Sequence, residues 1–171
     1  MTVQTLTAER ADLLESLGKA RYFLKFTAQN LTDEQAATRP TVSALSIGGV
    51  IKHVGRTELQ WARFIAEGPA AVAPPEGQDG FETWANAFRM LPGETLTSII
   101  AQYDEIAAQT DELVRTWDLD AAHDLPPAPW FQPGARWSAR RVITHIIAET
   151  AQHAGHADIL RESIDGQKSM G

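Results

Sequence analysis

Apolar side chains recur at three- and four-residue steps in four stretches of the chain, the period of helices that bury one face. The first stretch runs roughly from Thr7 to Asn30, with Leu13, Leu14, Leu17, Tyr22, Phe23 and Phe26 as its apolar positions. The second runs from about Ser46 to Glu67. Ile47, Val50, Ile51, Val54, Leu59, Trp61, Phe64 and Ile65 supply its apolar faces. Ser46 suits the N-cap, and Gly68-Pro69 ends the helix because proline cannot continue the hydrogen-bond ladder. The third runs from about Gly93 to Trp117 on Leu96, Ile99, Ile100, Tyr103, Ile106, Ala107 and Leu113, with Pro92-Gly93 marking its start. The fourth runs from about Ser138 to Ile164, capped by Ser138 and closed by Asp165-Gly166. Its apolar set is Val142, Ile143, Ile146, Ile147, Thr150, Ile159, Leu160 and Ile164.

Two irregular regions separate these helices. Residues 68–80 hold three prolines together with Gly68, Gly77 and Gly80. A short helix within Phe81–Leu91 would turn Trp84 and Phe88 inward. Residues 118–137 hold four prolines, which predicts irregular structure throughout. Strand alternation is nearly absent, and no long repeat is visible. Neither side of either irregular region could form a core alone, so residues 1–171 read as one all-α domain, an antiparallel bundle of four helices with long connections.

Three of the five histidines fall on the fourth helix. His145, Glu149 and His153 follow one another at four-residue steps, and His156 comes three later, so all four lie along one helix face. Their neighbours Ile146, Ile147, Ala148 and Ala151 are apolar, and ionisable groups beside an apolar surface are costly to bury without compensation. His53 sits on the second helix between Ile51 and Val54, so it borders the core; Glu58 and Trp61 follow on the same helix. With the second and fourth helices as neighbours, His53 would face Glu149 and His153. Two imidazoles and a carboxylate suit zinc, nickel or ferrous iron, and three protein ligands leave positions open for water or substrate.

Blander readings stand beside this one. An interior histidine is commonly a hydrogen-bonded core residue, and Glu149 with His153 could form a helix-surface ion pair worth only about 0.2–0.5 kcal/mol. Asp158, Arg161 and Glu162 read as ion-pairing residues, Arg140 and Arg141 as a solvated helix face. Trp61, Trp84 and Trp117 read as core or interface residues, and His123, in the proline-rich region, receives no role. Gly48-Gly49 is not a phosphate loop, because no strand precedes it and no Gly-Lys-Ser/Thr follows.

Composition narrows the chemistry. The chain has no cysteine, which excludes disulfides, thiolate metal sites and a thiol nucleophile of its own. With 15 basic against 22 acidic side chains the formal charge is −7, and no dense Lys/Arg run exists, which argues against nucleic acid as a partner. No stretch approaches the roughly 20 apolar residues of a membrane span, and the first ten residues lack a secretory pattern. These features predict a cytoplasmic protein with no membrane partner.

The stretch from Trp137 through His145, Glu149, His153 and His156 to Gly166 resembles the C-terminal helix of the DinB/YfiT-like superfamily, most of all its actinobacterial mycothiol transferase branch. Lys52-His53-Val, continuing to Glu58-Leu-Gln-Trp61, resembles that branch's second helix, and Leu31-Thr-Asp-Glu-Gln with Arg39-Pro40 fits its first connection. The resemblance covers nearly the whole chain. It implies a four-helix up-down-down-up bundle, often a homodimer, with a divalent metal held by one ligand from the second helix and two from the fourth. In the type similar to mycothiol-dependent maleylpyruvate isomerase the middle ligand is glutamate, which gives His53, Glu149 and His153 here. Relatives usually carry Arg at the position of Gln152 and Trp at that of Arg141.

The chemistry so implied pairs a divalent metal, zinc above nickel or iron, with a low-molecular-weight thiol such as mycothiol as cosubstrate. The thiolate would attack a small electrophile or add reversibly to isomerise it. His156 is the catalytic candidate beside the metal, able to orient substrate, shuttle a proton or support a ligand. Two other classes stay open: a hydrolase using metal-bound hydroxide on the same triad, and a metal-stabilised binding or stress module without chemistry.

Overall fold

The computed structural model describes residues 6–72 and 86–169. Four long helices dominate: α1 (Ala8–Phe26), α3 (Ile47–Glu67), α4 (Leu96–Thr116) and α5 (Ala139–Asp165). A five-residue helix, α2 (Asp33–Ala37), precedes α3, and a 3-10 turn, Pro69–Val72, follows it. Hydroxyl side chains start these five α-helices: Thr7, Thr32, Ser46, Thr95 and Ser138 each accept a hydrogen bond from a backbone N–H of the first turn. Gly166 ends α5 in the left-handed conformation, with φ of 79°.

Contacts between helix ends give the directions. Arg140, at the start of α5, pairs with Glu9 at the start of α1, and Arg161 near the end of α5 donates to the carbonyls of Thr27 and Gln29 just past α1. These two helices are therefore parallel. Arg10 donates to the Val114 and Trp117 carbonyls, and Lys25 pairs with Asp104, so α4 runs against α1. Lys52 with Glu94, and Gly55 against Tyr103, make α3 and α4 parallel. The expected up-down-down-up, all-α bundle results.

Two apolar layers fill it. One gathers Leu24, Ile47, Val50, Ile51, Val54, Ile99, Tyr103 and Leu160. The other gathers Leu17, Trp61, Phe64, Val114, Val142, Ile143 and Ile146. Each of these larger side chains contributes about 1.5–3 kcal/mol on burial. Between the layers lies a buried polar seam of Arg21, Glu58, Thr110 and Thr150. Arg21 donates to both oxygens of Glu58, and to Asp111 at 2.7 Å, so the buried charges are paired.

Several expectations need correction. Helix α1 stops at Phe26, and its buried face is Leu17, Ala20, Arg21 and Leu24, while Tyr22 is 55% exposed. Burying Arg21 against Glu58 fixes the helix rotation and turns Tyr22 outward. Ile159, in the apolar set of the fourth helix, is 61% exposed and faces away from the core. Helix α4 begins at Leu96, because Thr95 and Ser98 form a reciprocal cap and Pro92-Gly93 only makes the preceding turn. The proline-rich stretch is not irregular throughout: β1 (Ala122–Asp124) pairs antiparallel with β2 (Arg136–Ser138), and all four prolines lie in the loop between them. Arg161 does form an ion pair, with Asp165 at 2.9 Å, but from a buried position. The short-helix expectation falls partly on residues 81–85, with Trp84, which lie outside the described residues.

Candidate metal centre

Helix α5 carries Glu149 and His153 one turn apart, on the side that faces α3. Helix α3 runs against α5, so His53, near its start, meets the middle of α5. His153 Nε2 lies 3.3 Å from Glu149 Oε1, and His53 Nε2 lies 3.7 Å from the same oxygen. One donor atom from each residue falls within 4.8 Å of the others. The three side chains are partly buried, Glu149 the most open at 26%. The imidazoles of His153 and then His53 beside it hold the Glu149 carboxyl well below the usual carboxylate range, against the opposing effect of burial.

The donor set fits a first-row divalent cation. Donor atoms about 2.1 Å from a tetrahedral ion stand about 3.4 Å apart, close to the two separations from Glu149. One carboxylate against a divalent ion leaves a net positive charge, suited to an anionic guest.

The surroundings are aromatic on both sides. Phe88 stacks on the His53 ring with centroids 3.9 Å apart. Its segment reaches α3 because Gly48 and Gly49 have no side chain: a Cβ on Gly49 would stand 1.9 Å from the Phe88 carbonyl oxygen, and one on Gly48 would strike Met90. Lys52 and Glu94 tie the same segment down, Lys52 donating to the Arg89 carbonyl and Glu94 accepting from the Leu91 N–H. One turn before Glu149, His145 sits edge-on against Trp61 and Trp137, and burial pushes its pKa down. Arg141 lies 4.1 Å above the Trp137 ring.

The fates of the remaining candidates differ. His156 does not join the converging donors; its Nδ1 lies 3.3 Å from Nδ1 of His153. Glu58 belongs to the Arg21 pair inside the bundle. His123 binds the Ile65 carbonyl at 3.2 Å and packs against Phe64, a structural role. Arg140 bridges Glu9 and Asp120. The wall residue that spacing alone did not assign to the site is Phe88. The adjacent glycines near the start of α3, a costly pair inside a helix, are the signal that another segment approaches there.

Residues 12–166 match the family described as Mycothiol-S-transferase. No curated protein matches the chain. Among solved structures, the crystal structure of the conserved protein of locus from Enterococcus faecalis superposes with a TM-score of 0.66 at 17% identity, covering 91% of this chain and 96% of that one. At that identity the likeness concerns the fold alone. The family match runs from α1 to the end of α5 and takes in all three converging donors, so the chain belongs to the mycothiol-S-transferase family, whose name carries a thiol-transferase type of function.

Proposed function

We propose that the protein is a metal-dependent S-transferase that joins a low-molecular-weight thiol of the mycothiol type to a small electrophile. The observation that carries this reading is the convergence of His53, Glu149 and His153 within a chain of this family. These three residues would hold one divalent cation, with zinc the first choice, and leave further positions free. A cation held there would supply the Lewis acidity that lets an incoming thiol give up its proton to solvent and stay as thiolate, its nucleophilic form. The protein's residues do the rest. The Glu149 carboxylate balances part of the charge, and Phe88 and the Trp61–Trp137 pair give the neighbourhood apolar walls. The thiolate sulfur forms a bond to the electrophilic carbon, and the leaving group departs with its electron pair. Having no cysteine, the protein brings no competing thiol. His156 belongs to the same site through its contact with His153. The same reading takes the protein as a cytoplasmic homodimer. Among the described residues no helix is long and apolar enough to cross a membrane.

The test is metal analysis of the purified protein, followed by incubation with mycothiol and a haloaromatic electrophile. A mycothiol conjugate that needs the metal, with both lost in Glu149→Ala, is the expected result. Cleavage of esters or amides without conjugation would replace the transferase by a hydrolase on the same triad. Equal metal content in wild type and Glu149→Ala would remove Glu149 from the ligand set.

A further inference from the structure

His153 presents Nε2 toward Glu149, 3.3 Å from its Oε1, which leaves Nδ1 as the other ring nitrogen. That Nδ1 lies 3.3 Å from Nδ1 of His156, with the two ring planes 68° apart. For Nε2 of His153 to offer its lone pair to a cation, the ring hydrogen must sit on Nδ1. A hydrogen there points at His156 Nδ1, which must then be an acceptor and carry its own hydrogen on Nε2. The two nitrogens cannot both donate, so the contact selects one tautomer for each ring.

We propose that His156 is a positioning residue: it accepts a hydrogen bond from His153 Nδ1 and so fixes His153 in the tautomer and ring orientation that direct Nε2 at the cation. The arrangement places His156 behind a ligand rather than among the ligands, since its Nδ1 is engaged with the rear nitrogen of His153. The three-residue step makes the pairing local to α5, so it forms with the helix itself. Partners of this kind typically change metal affinity by 10–100-fold when removed.

This inference rests on the metal-binding reading of His53, Glu149 and His153. Its test is the affinity of the purified protein for zinc, measured by chelator competition, in wild type, His156→Ala and His156→Gln. Helix content and thermal midpoint report folding, and the nitrogen shifts of His153 in the zinc-bound protein report its tautomer. A folded His156→Ala variant should bind zinc about 10–100-fold more weakly. His156→Gln, whose side-chain oxygen can accept the same hydrogen bond, should recover most of that loss. In wild type the His153 hydrogen should reside on Nδ1. Unchanged zinc affinity in the folded His156→Ala variant, or a loss that His156→Gln does not recover, would overturn the inference while leaving the triad intact; a hydrogen on His153 Nε2 in the zinc-bound protein would overturn the inference and remove that nitrogen from the ligand set as well. A wild-type protein that binds no zinc, nickel or ferrous iron would overturn the triad and this inference together.

Discussion

Phe88 lies face to face with the imidazole of His53, the ring planes 21° from parallel. The pairing joins a side chain outside the long helices to a candidate ligand on α3, and backbone contact with Gly49 holds it in place. Gly49→Ala puts a methyl group into the Phe88 carbonyl, a clash with backbone that a side-chain rotation cannot relieve. Its expected cost is about 1–3 kcal/mol in urea unfolding. Phe88→Leu, which keeps the backbone contact, should cost less stability and instead change which electrophiles are accepted. Equal stability of Gly49→Ala and wild type would refute the close approach.

Arg21 and Glu58 are a buried pair between two apolar layers. Arg21→Met leaves the Glu58 carboxylate without its partner and should cost about 3–5 kcal/mol at neutral pH. The double variant Arg21→Met/Glu58→Met should recover much of that loss, because no fully buried charge then lacks a partner: Asp111, 29% exposed, keeps Arg115 at 4.0 Å. Calorimetry on the two singles and the double measures the coupling, and strictly additive losses would argue against it.

His145 carries a pKa lowered chiefly by burial against Trp61 and Trp137. The folded protein therefore holds fewer protons at this residue than the unfolded chain between the lowered value and the ordinary one of about 6.5. The stability this neutral histidine allows is complete above about pH 6.5 and declines as the pH falls toward the folded-state value. Replacing His145 with Gln should flatten that part of the stability profile. Urea midpoints at several pH values between about 5 and 8 measure it, and identical slopes in both proteins would contradict the assignment.

Arg161 gives its guanidinium to the Thr27 and Gln29 carbonyls and to Asp165 and Gln167. Arg161→Met removes the donor from carbonyls at the end of α1 and should cost about 2 kcal/mol. Amide exchange should accelerate first in the last turn of α1 and in residues 27–31. A uniform acceleration across the bundle would mean that the contact does not act locally.

The bundle was legible because its signals are local and repeated. Ser46, Ser138 and Gly166 mark helix ends by their own chemistry, and the four-residue step from Glu149 to His153 fixes a shared face before any packing is known. The convergence with His53 needed the antiparallel pairing of α3 and α5, which the family resemblance supplied. What stayed hidden depends on distant partners. Tyr22 has the size of a core residue, yet the rotation of α1 is set by Glu58 on another helix. The ribbon of three-residue strands is too short for an alternation to show, and its register exists only once His123 lies opposite Trp137. Phe88 reads as an inward aromatic, but its place on His53 follows from two glycines some forty residues earlier.

Because α3 and α4 point the same way, residues 86–95 ahead of α4 lie beside the start of α3 and not beside its end. That strip includes Phe88, so the wiring of the fold itself furnishes one wall of the candidate metal centre. Exchanging residues 86–95 thus alters the surroundings of the three converging donors while sparing the long helices that carry them.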